Sequence, residues 1–239
     1  MEDLAEKAVK TGCVASRFLT PAEAQSTAMY FKNKGYIKLR LDGGFENAER
    51  VRAVFINPDW GICERSRVFG ALRISHRPQD MLGHRDILGA IMALGIERDT
   101  IGDIVSEEHS ATVVCLPELG AYIIENLSKV GRVGVTVTHL SLDELPQRRE
   151  NLAIKTDTVA SLRLDAVLRA AFDLPRAKAS ELIIVGKVNV DYLPCLQPAK
   201  EIQEGTLISV RGLGRAKLIE VGGLSRKDRL FIQIGVYGK

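Results

Sequence analysis

The chain has 239 residues, of which 46% are hydrophobic and 26% charged, so it holds enough apolar material to bury a core without disulfide or metal staples. Its formal net charge of +3 is unevenly spread: residues 151–239 carry 14 Lys and Arg against 9 Asp and Glu, whereas residues 1–150 carry 19 against 21. This asymmetry suits an anion-binding portion attached to a near-neutral one, and no apolar run approaches the roughly 18–20 residues of a membrane span.

The amino terminus, Met1-Glu-Asp-Leu-Ala-Glu-Lys, is charged and lacks the apolar centre of a signal peptide. Thr20 and Pro21 predict a helix over 22–34, with Thr20 as N-cap and Gly35 beyond its end. An extended stretch over 36–41 leads to the turn Asp42-Gly43-Gly44, then a short helix over 46–50 and a strand over 51–56. From residue 69 the expected order is strand (69–75), helix (84–94), strand (101–106), strand (111–116), helix (119–130) and strand (132–140). That β-α-β-β-α-β order is the ferredoxin-like or split-βαβ arrangement, which alone gives no function. Its strands are nearly devoid of aromatic residues, so the stacking signature of an RNA-recognition motif is absent.

Residues 143–160 are polar, contain Pro146 and the run Gln147-Arg148-Arg149-Glu150, and read as a linker. Beyond it, Leu164, Val167, Leu168 and Phe172 stripe one face of a helix over 161–172, leaving Arg163 and Arg169 toward solvent. A second helix over 175–185 ends at Gly186, and strands follow over 187–192, 206–211, 215–221 and 230–236. The expected fold class is therefore α+β, divided into an α/β unit (1–66), a ferredoxin-like domain and candidate RNA binder (67–142), a linker (143–160) and a carboxy-terminal domain (161–239).

The four cysteines, at 13, 63, 115 and 195, are too scattered for a Cys-x-x-Cys metal pair or a disulfide framework, and read as reduced thiols. With the charged amino terminus they point to a soluble cytoplasmic protein.

In the carboxy-terminal domain, Arg163-Leu-Asp165, Arg176, Ala179, Gly186-Lys187-Val188, Val190, Gly205, Ile208-Ser-Val210 and Arg211-Gly212 follow the S4 RNA-binding pattern. The pattern departs at Pro175 (Ser is usual), Asp191 (Asn) and Thr206 (Asp). Loss of the Ser hydroxyl removes one phosphate contact, and Asp191 adds a charge unfavourable to RNA. The resemblance implies an S4-type fold in which Arg163, Arg169, Arg176, Lys178 and Lys187 converge on RNA, with Arg211, Arg215 and Lys217 extending the basic surface. Guanidinium groups pair phosphate oxygens bidentately, and such a surface reads the backbone of structured RNA rather than its sequence.

Two stretches of the front half carry a wider resemblance: Gly43-Gly44-Phe-Glu-Asn-Ala-Glu49-Arg50, and His84-Arg85-Asp86-Ile-Leu-Gly-Ala running on to Leu94-Gly-Ile-Glu-Arg98 and Ile101-Gly-Asp-Ile104. Together with the S4 pattern, the chain resembles the YlmH family of bacterial S4-domain proteins, to which photosystem-associated S4 proteins are similar. The resemblance implies a non-enzymatic, cofactor-free factor. Its expected partners are rRNA, tRNA and the large ribosomal subunit, in the handling of stalled nascent chains. An alternative is a protein-binding adaptor in assembly or cell division. Arg50, His84 and Arg85 are candidates for a second RNA or partner surface; read locally, His84 caps a helix and Arg85 pairs with Asp86.

Enzyme classes that carry S4 modules fit poorly. A tyrosyl-tRNA synthetase needs a His-x-Gly-His segment and a methyltransferase needs a Gly-rich cofactor loop, and neither is in the sequence. A pseudouridine synthase needs Arg-Leu-Asp in a separate catalytic domain. That triplet occurs within the S4 pattern at Arg163-Leu164-Asp165 and in the front half at Arg40-Leu41-Asp42, where three residues alone do not define the activity. No catalytic residue and no Cys/His metal cluster is predicted.

Overall fold

The computed structural model describes residues 1–146 and 152–238. They fall into two units, Met1–Arg148 and Arg149–Lys239. The fold is a mixture of helices and antiparallel sheets, as expected of the α+β class.

The first unit opens with two elements the sequence did not announce, α1 (Glu2–Thr11) and β1 (Cys13–Leu19). The packing face of α1 is made of the small residues Ala5 and Ala8, both fully buried, which leave little trace in a hydrophobic pattern. Helix α2 (Pro21–Phe31) begins as predicted: the Thr20 hydroxyl accepts from the Glu23 N–H at 3.4 Å, and the Glu23 carboxylate accepts from the Thr20 N–H at 2.7 Å. This reciprocal cap contributes about 1 kcal/mol. Strands β2 (Lys38–Asp42) and β3 (Val51–Ile56) complete an antiparallel sheet of order β1-β3-β2.

The helix expected over 46–50 does not form. Asn47 adopts a left-handed φ of 58°, and the Glu49 and Arg50 N–H groups donate to the buried Asp103 carboxylate at 2.7 and 3.1 Å. Those two donors are drawn away from a helical ladder by a residue more than 50 positions distant. Gly43 is part of this loop's packing, since a Cβ there would lie 2.3 Å from that of Ala48. The expectation of four free thiols also needs correction: Cys13 and Cys63 form a disulfide with Cα atoms 5.6 Å apart, while Cys115 and Cys195 are free and buried.

Strand β4 (Gly70–Ser75), α3 (His84–Ala93), β5 (Ile101–Ser106), β6 (Ser110–Cys115) and α4 (Gly120–Asn126) follow in the predicted order. The second helix is shorter than expected. It gives way to a hairpin of β7 (Lys129–Val130) and β8 (Val133–Gly134), whose turn uses Gly131 at φ 58°, before β9 (Thr136–His139). The antiparallel sheet has the order β5-β6-β4-β9, and α3 and α4 bury Ile87, Ile91 and Ile123 against its Leu72, Ile74 and Val113. The boundary expected at 66/67 crosses a shared apolar cluster that includes Phe18, Val54, Val68, Phe69 and Val114.

The second unit corrects the expected linker. Leu152–Val159 is a strand, β10, paired in unbroken antiparallel register with β15 (Leu230–Tyr237) from Leu152↔Tyr237 to Val159↔Leu230. The run Gln147 to Glu150 lies outside the described residues. Between these strands come α5 (Leu164–Phe172), α6 (Arg176–Ile184), β11 (Val188–Val190), β12 (Leu193–Pro194), β13 (Leu207–Val210) and β14 (Gly214–Leu224). The sheet order is β10-β15-β14-β13-β11-β12. Leu164, Val167, Leu168 and Ile183 of the helices pack on Val188, Ile208, Ile232 and Ile234. Truncating one of these fully buried leucines to alanine costs roughly 2–5 kcal/mol.

Candidate nucleic-acid interface

The basic residues of the second unit occupy two settings. The first is the corner between α5 and α6. Arg163 is the N-cap residue of α5 rather than part of its solvent face, and its guanidinium forks onto the Asp165 carboxylate with bonds of 3.1 and 2.9 Å. Arg176, at the start of α6, reaches the same carboxylate at 3.4 Å. Asp165 is only 3% exposed, while the side chains of Arg163 and Arg176 keep 39% and 58% of their surface. Hydrogen bonding from Arg163 holds the Asp165 carboxyl below its ordinary pKa, against the desolvation that would raise it. Arg169 is likewise engaged, with Asp157 of β10 at 2.7 Å, and Lys178 with Glu181 one turn on at 2.9 Å. The helix-side cations thus already have carboxylate partners.

The second setting is a cleft of about 560 Å³ at the β11–β13–β14 edge. Lys187, Arg211 and Arg215 line it, together with Asn189, Ser209, Gly212 and Gly214. Lys187 and Arg211 are exposed and have no carboxylate partner among the described residues. Arg215 lies over the Tyr237 ring, 5.5 Å from its centroid. The pairing Ser209↔Arg215 and Asn189↔Ser209 puts an amide, a hydroxyl and a guanidinium in one row across three strands. Lys217 follows two residues further along β14, opposite Leu207. Two cations with neutral donors and open glycine backbone make a receptor for phosphate oxygens.

The three departures from the S4 pattern have structural roles. Asp191 sits at φ 46°, and its carboxylate accepts from the Leu207 N–H at 2.9 Å. The Thr206 hydroxyl accepts from the Gln203 N–H at 3.1 Å, and the Pro175 carbonyl accepts the Ala179 N–H at 3.0 Å in the first turn of α6. Asp191 therefore locks a turn instead of standing as a bare negative charge.

In the first unit the expected second surface separates. Arg50 is half-buried and donates to the Phe18 carbonyl at 3.0 Å, so it fastens the 43–50 loop. His84 is not the cap of α3: Gly83 is, with its N–H donated to Asp86 at 2.9 Å. His84 and Arg85 are exposed on the first turn. Sequence reasoning passed over Asn189 and Ser209, whose alternation on β11 and β13 places them with Arg215, and also Arg77 and Arg132, which line a cleft in the first unit. Among the described residues, no group of three or more His, Cys, Asp or Glu side chains is placed to hold a metal ion, and no helix is long and apolar enough to cross a membrane.

A relative from Bacillus subtilis (strain 168), the ribosome-associated protein quality control protein P2, is 30% identical over 214 residues, which is 89% of this chain and 82% of the relative. The chain belongs to the YlmH family. Residues 77–144 match a family model described as "Putative RNA-binding domain in YlmH". The solved structure of the cell division protein ylmH from Streptococcus pneumoniae is similar at 25% identity with a TM-score of 0.50, covering 60% of this chain and 88% of that one. Membership of the YlmH family is what the front-half stretches and the S4 pattern together implied.

Proposed function

We propose that this YlmH-family chain is a non-enzymatic, cytoplasmic RNA-binding factor. It docks on structured rRNA or tRNA at the large ribosomal subunit, in the quality control of stalled ribosomes and nascent chains. The second unit acts as an S4-type module and the β4–β9 sheet as a ferredoxin-like one. The order of elements in each supports these assignments, as does the match of residues 77–144 to the RNA-binding family model. The name of the Bacillus subtilis relative supports the ribosomal setting.

The observation that carries the reading is the Lys187–Arg211–Arg215 cleft, in which two exposed cations, Lys187 and Arg211, have no carboxylate partner among the described residues and stand beside neutral donors. Arg163, Arg169, Arg176 and Lys178 are a supporting layer that fixes the helices and adds positive potential around the site. Binding through phosphates releases counterions, so it weakens steeply as salt rises. Sedimentation of ribosomes with the full chain at low and high salt tests the proposal. Co-sedimentation with large subunits at low salt and release at high salt is expected. Absence from large subunits and stalled complexes at low salt overturns it and favours the protein-adaptor reading.

A further inference from the structure

The first unit carries a second basic feature with a different construction. Two clefts flank the β7–β8 hairpin. One is lined by His76, Arg77, Gln79, Ser128 and Thr136, the other by Met81, Arg85 and Gly89, and both share Arg132 of the hairpin tip. Arg77, Arg85 and Arg132 are all exposed and, among the described residues, none has a carboxylate partner. One acidic residue lines each cleft, Asp80 in the first and Asp86 in the second, and Asp86 is occupied by the Gly83 N–H.

The walls are unusually bare. Gly89 of α3, Gly131 of the turn and Gly134 of β8 have nothing within 4 Å of where a Cβ would stand. Guanidinium groups rim the clefts while glycine backbone lines them, so an extended anionic chain can approach the main chain closely and be held from both sides. Met81, 93% exposed at the edge of the second cleft, offers an apolar contact to a ribose or an unstacked base.

We infer that these two clefts form a second phosphate-binding strip, with Arg77, Arg132 and Arg85 taking the backbone of structured RNA. The inference rests on the RNA-binding reading above and assigns to named residues the part of it that falls on the 77–144 match. The strip recognises backbone charge with little base preference, because its donors are guanidiniums without a fixed base-reading partner.

The test compares the full chain with Arg77→Ala/Arg85→Ala/Arg132→Ala, using a fluorescein-labelled tRNA transcript as probe over a range of salt. A charge-matched control, Arg17→Ala/Lys34→Ala/Arg67→Ala, removes three cations that are paired with Glu97 and Asp99, with Glu2 and with Glu64. A third variant, Lys187→Ala/Arg211→Ala, reports on the second unit. The strip variant is expected to bind at least about tenfold more weakly than the control, with a salt slope shallower by about 2–3, since each lost phosphate contact removes about 0.9. Photo-crosslinking is expected to place RNA on residues of both clefts. Equal affinity and slope in the strip variant and the parent, while Lys187→Ala/Arg211→Ala is impaired, overturns the strip and leaves the function proposal standing. No binding of the transcript by the parent overturns the strip, while the function proposal stands or falls on the ribosome sedimentation. Equal loss in the strip variant and the control reduces the effect to net charge and overturns the strip, as do crosslinks from these clefts to ribosomal protein alone.

Discussion

The Asp165 corner and the Lys187–Arg211 cleft belong to the same unit and carry the same kind of side chain, yet they serve opposite ends. At the corner, a buried carboxylate collects Arg163 and Arg176, so positive charge is spent inside the architecture. At the cleft, Lys187 and Arg211 are exposed and have no carboxylate partner among the described residues. The difference teaches that a basic residue in an RNA-binding pattern can act by holding the module's shape or by touching the ligand, and only its partner tells which.

The comparison can be broken at four points. The largest expected effect is at an arginine wholly committed to structure, Arg52 of β3. It is buried, donates to the Ser16 and Val68 carbonyls, and has its pKa pushed down to about 10 by burial. Arg52→Ala should cost about 3 kcal/mol by stranding those acceptors. Urea unfolding followed through Trp60, the sole tryptophan, reads it.

Next is Asp165→Ala, expected to destabilise the second unit by about 2 kcal/mol, measured by hydrogen exchange of α5, while leaving RNA affinity within about threefold. Because Arg163 depresses the folded pKa of Asp165, the stabilisation is full above the ordinary carboxyl value of 3.8 and is lost as pH falls through the lower folded value. The variant should lack that acid-sensitive component, whereas an unchanged acid profile would remove Asp165 from its place as the hub.

Third, Lys187→Ala/Arg211→Ala should weaken RNA binding at least about tenfold, or about 1.4 kcal/mol, without shifting the unfolding transition. Smallest is Arg169→Ala, whose ion pair with Asp157 is partly exposed; RNA affinity should fall less than about threefold, and stability by about 0.5 kcal/mol. If Arg169→Ala weakens binding more than Lys187→Ala/Arg211→Ala, the division between holding and touching fails.

Much of the fold was legible because its elements follow local rules. The Thr20-Pro21 start of α2, the stripe Leu164, Val167, Leu168 and the order β4, α3, β5, β6, α4, β9 all rest on capping or periodicity, whereas the β7–β8 hairpin was not legible. What stayed hidden depends on distant partners. Strand β10 reads as linker because Lys155, Thr156, Asp157 and Thr158 look polar until β15 pairs with them. The segment 46–50 reads as helix because Asp103 is far along the chain. The site was legible as a list of cations and not as a division among them. Asp165 stands only two residues from Arg163, but the sequence does not say that its buried carboxylate also gathers Arg176, eleven residues on, while Lys187 is left exposed.

The apolar cluster that joins Phe18 and Val54 to Phe69 and Val114 bears on how the protein is made. As the chain is synthesised, β1, β2 and β3 are complete long before their packing partner on β6 exists. Until residue 114 is available, Phe18 and Val54 lack part of their cover, so the first sheet waits as an exposed surface. The first unit therefore completes this cluster late in synthesis, through contacts nearly a hundred residues apart, of the long-range kind that slows folding in general.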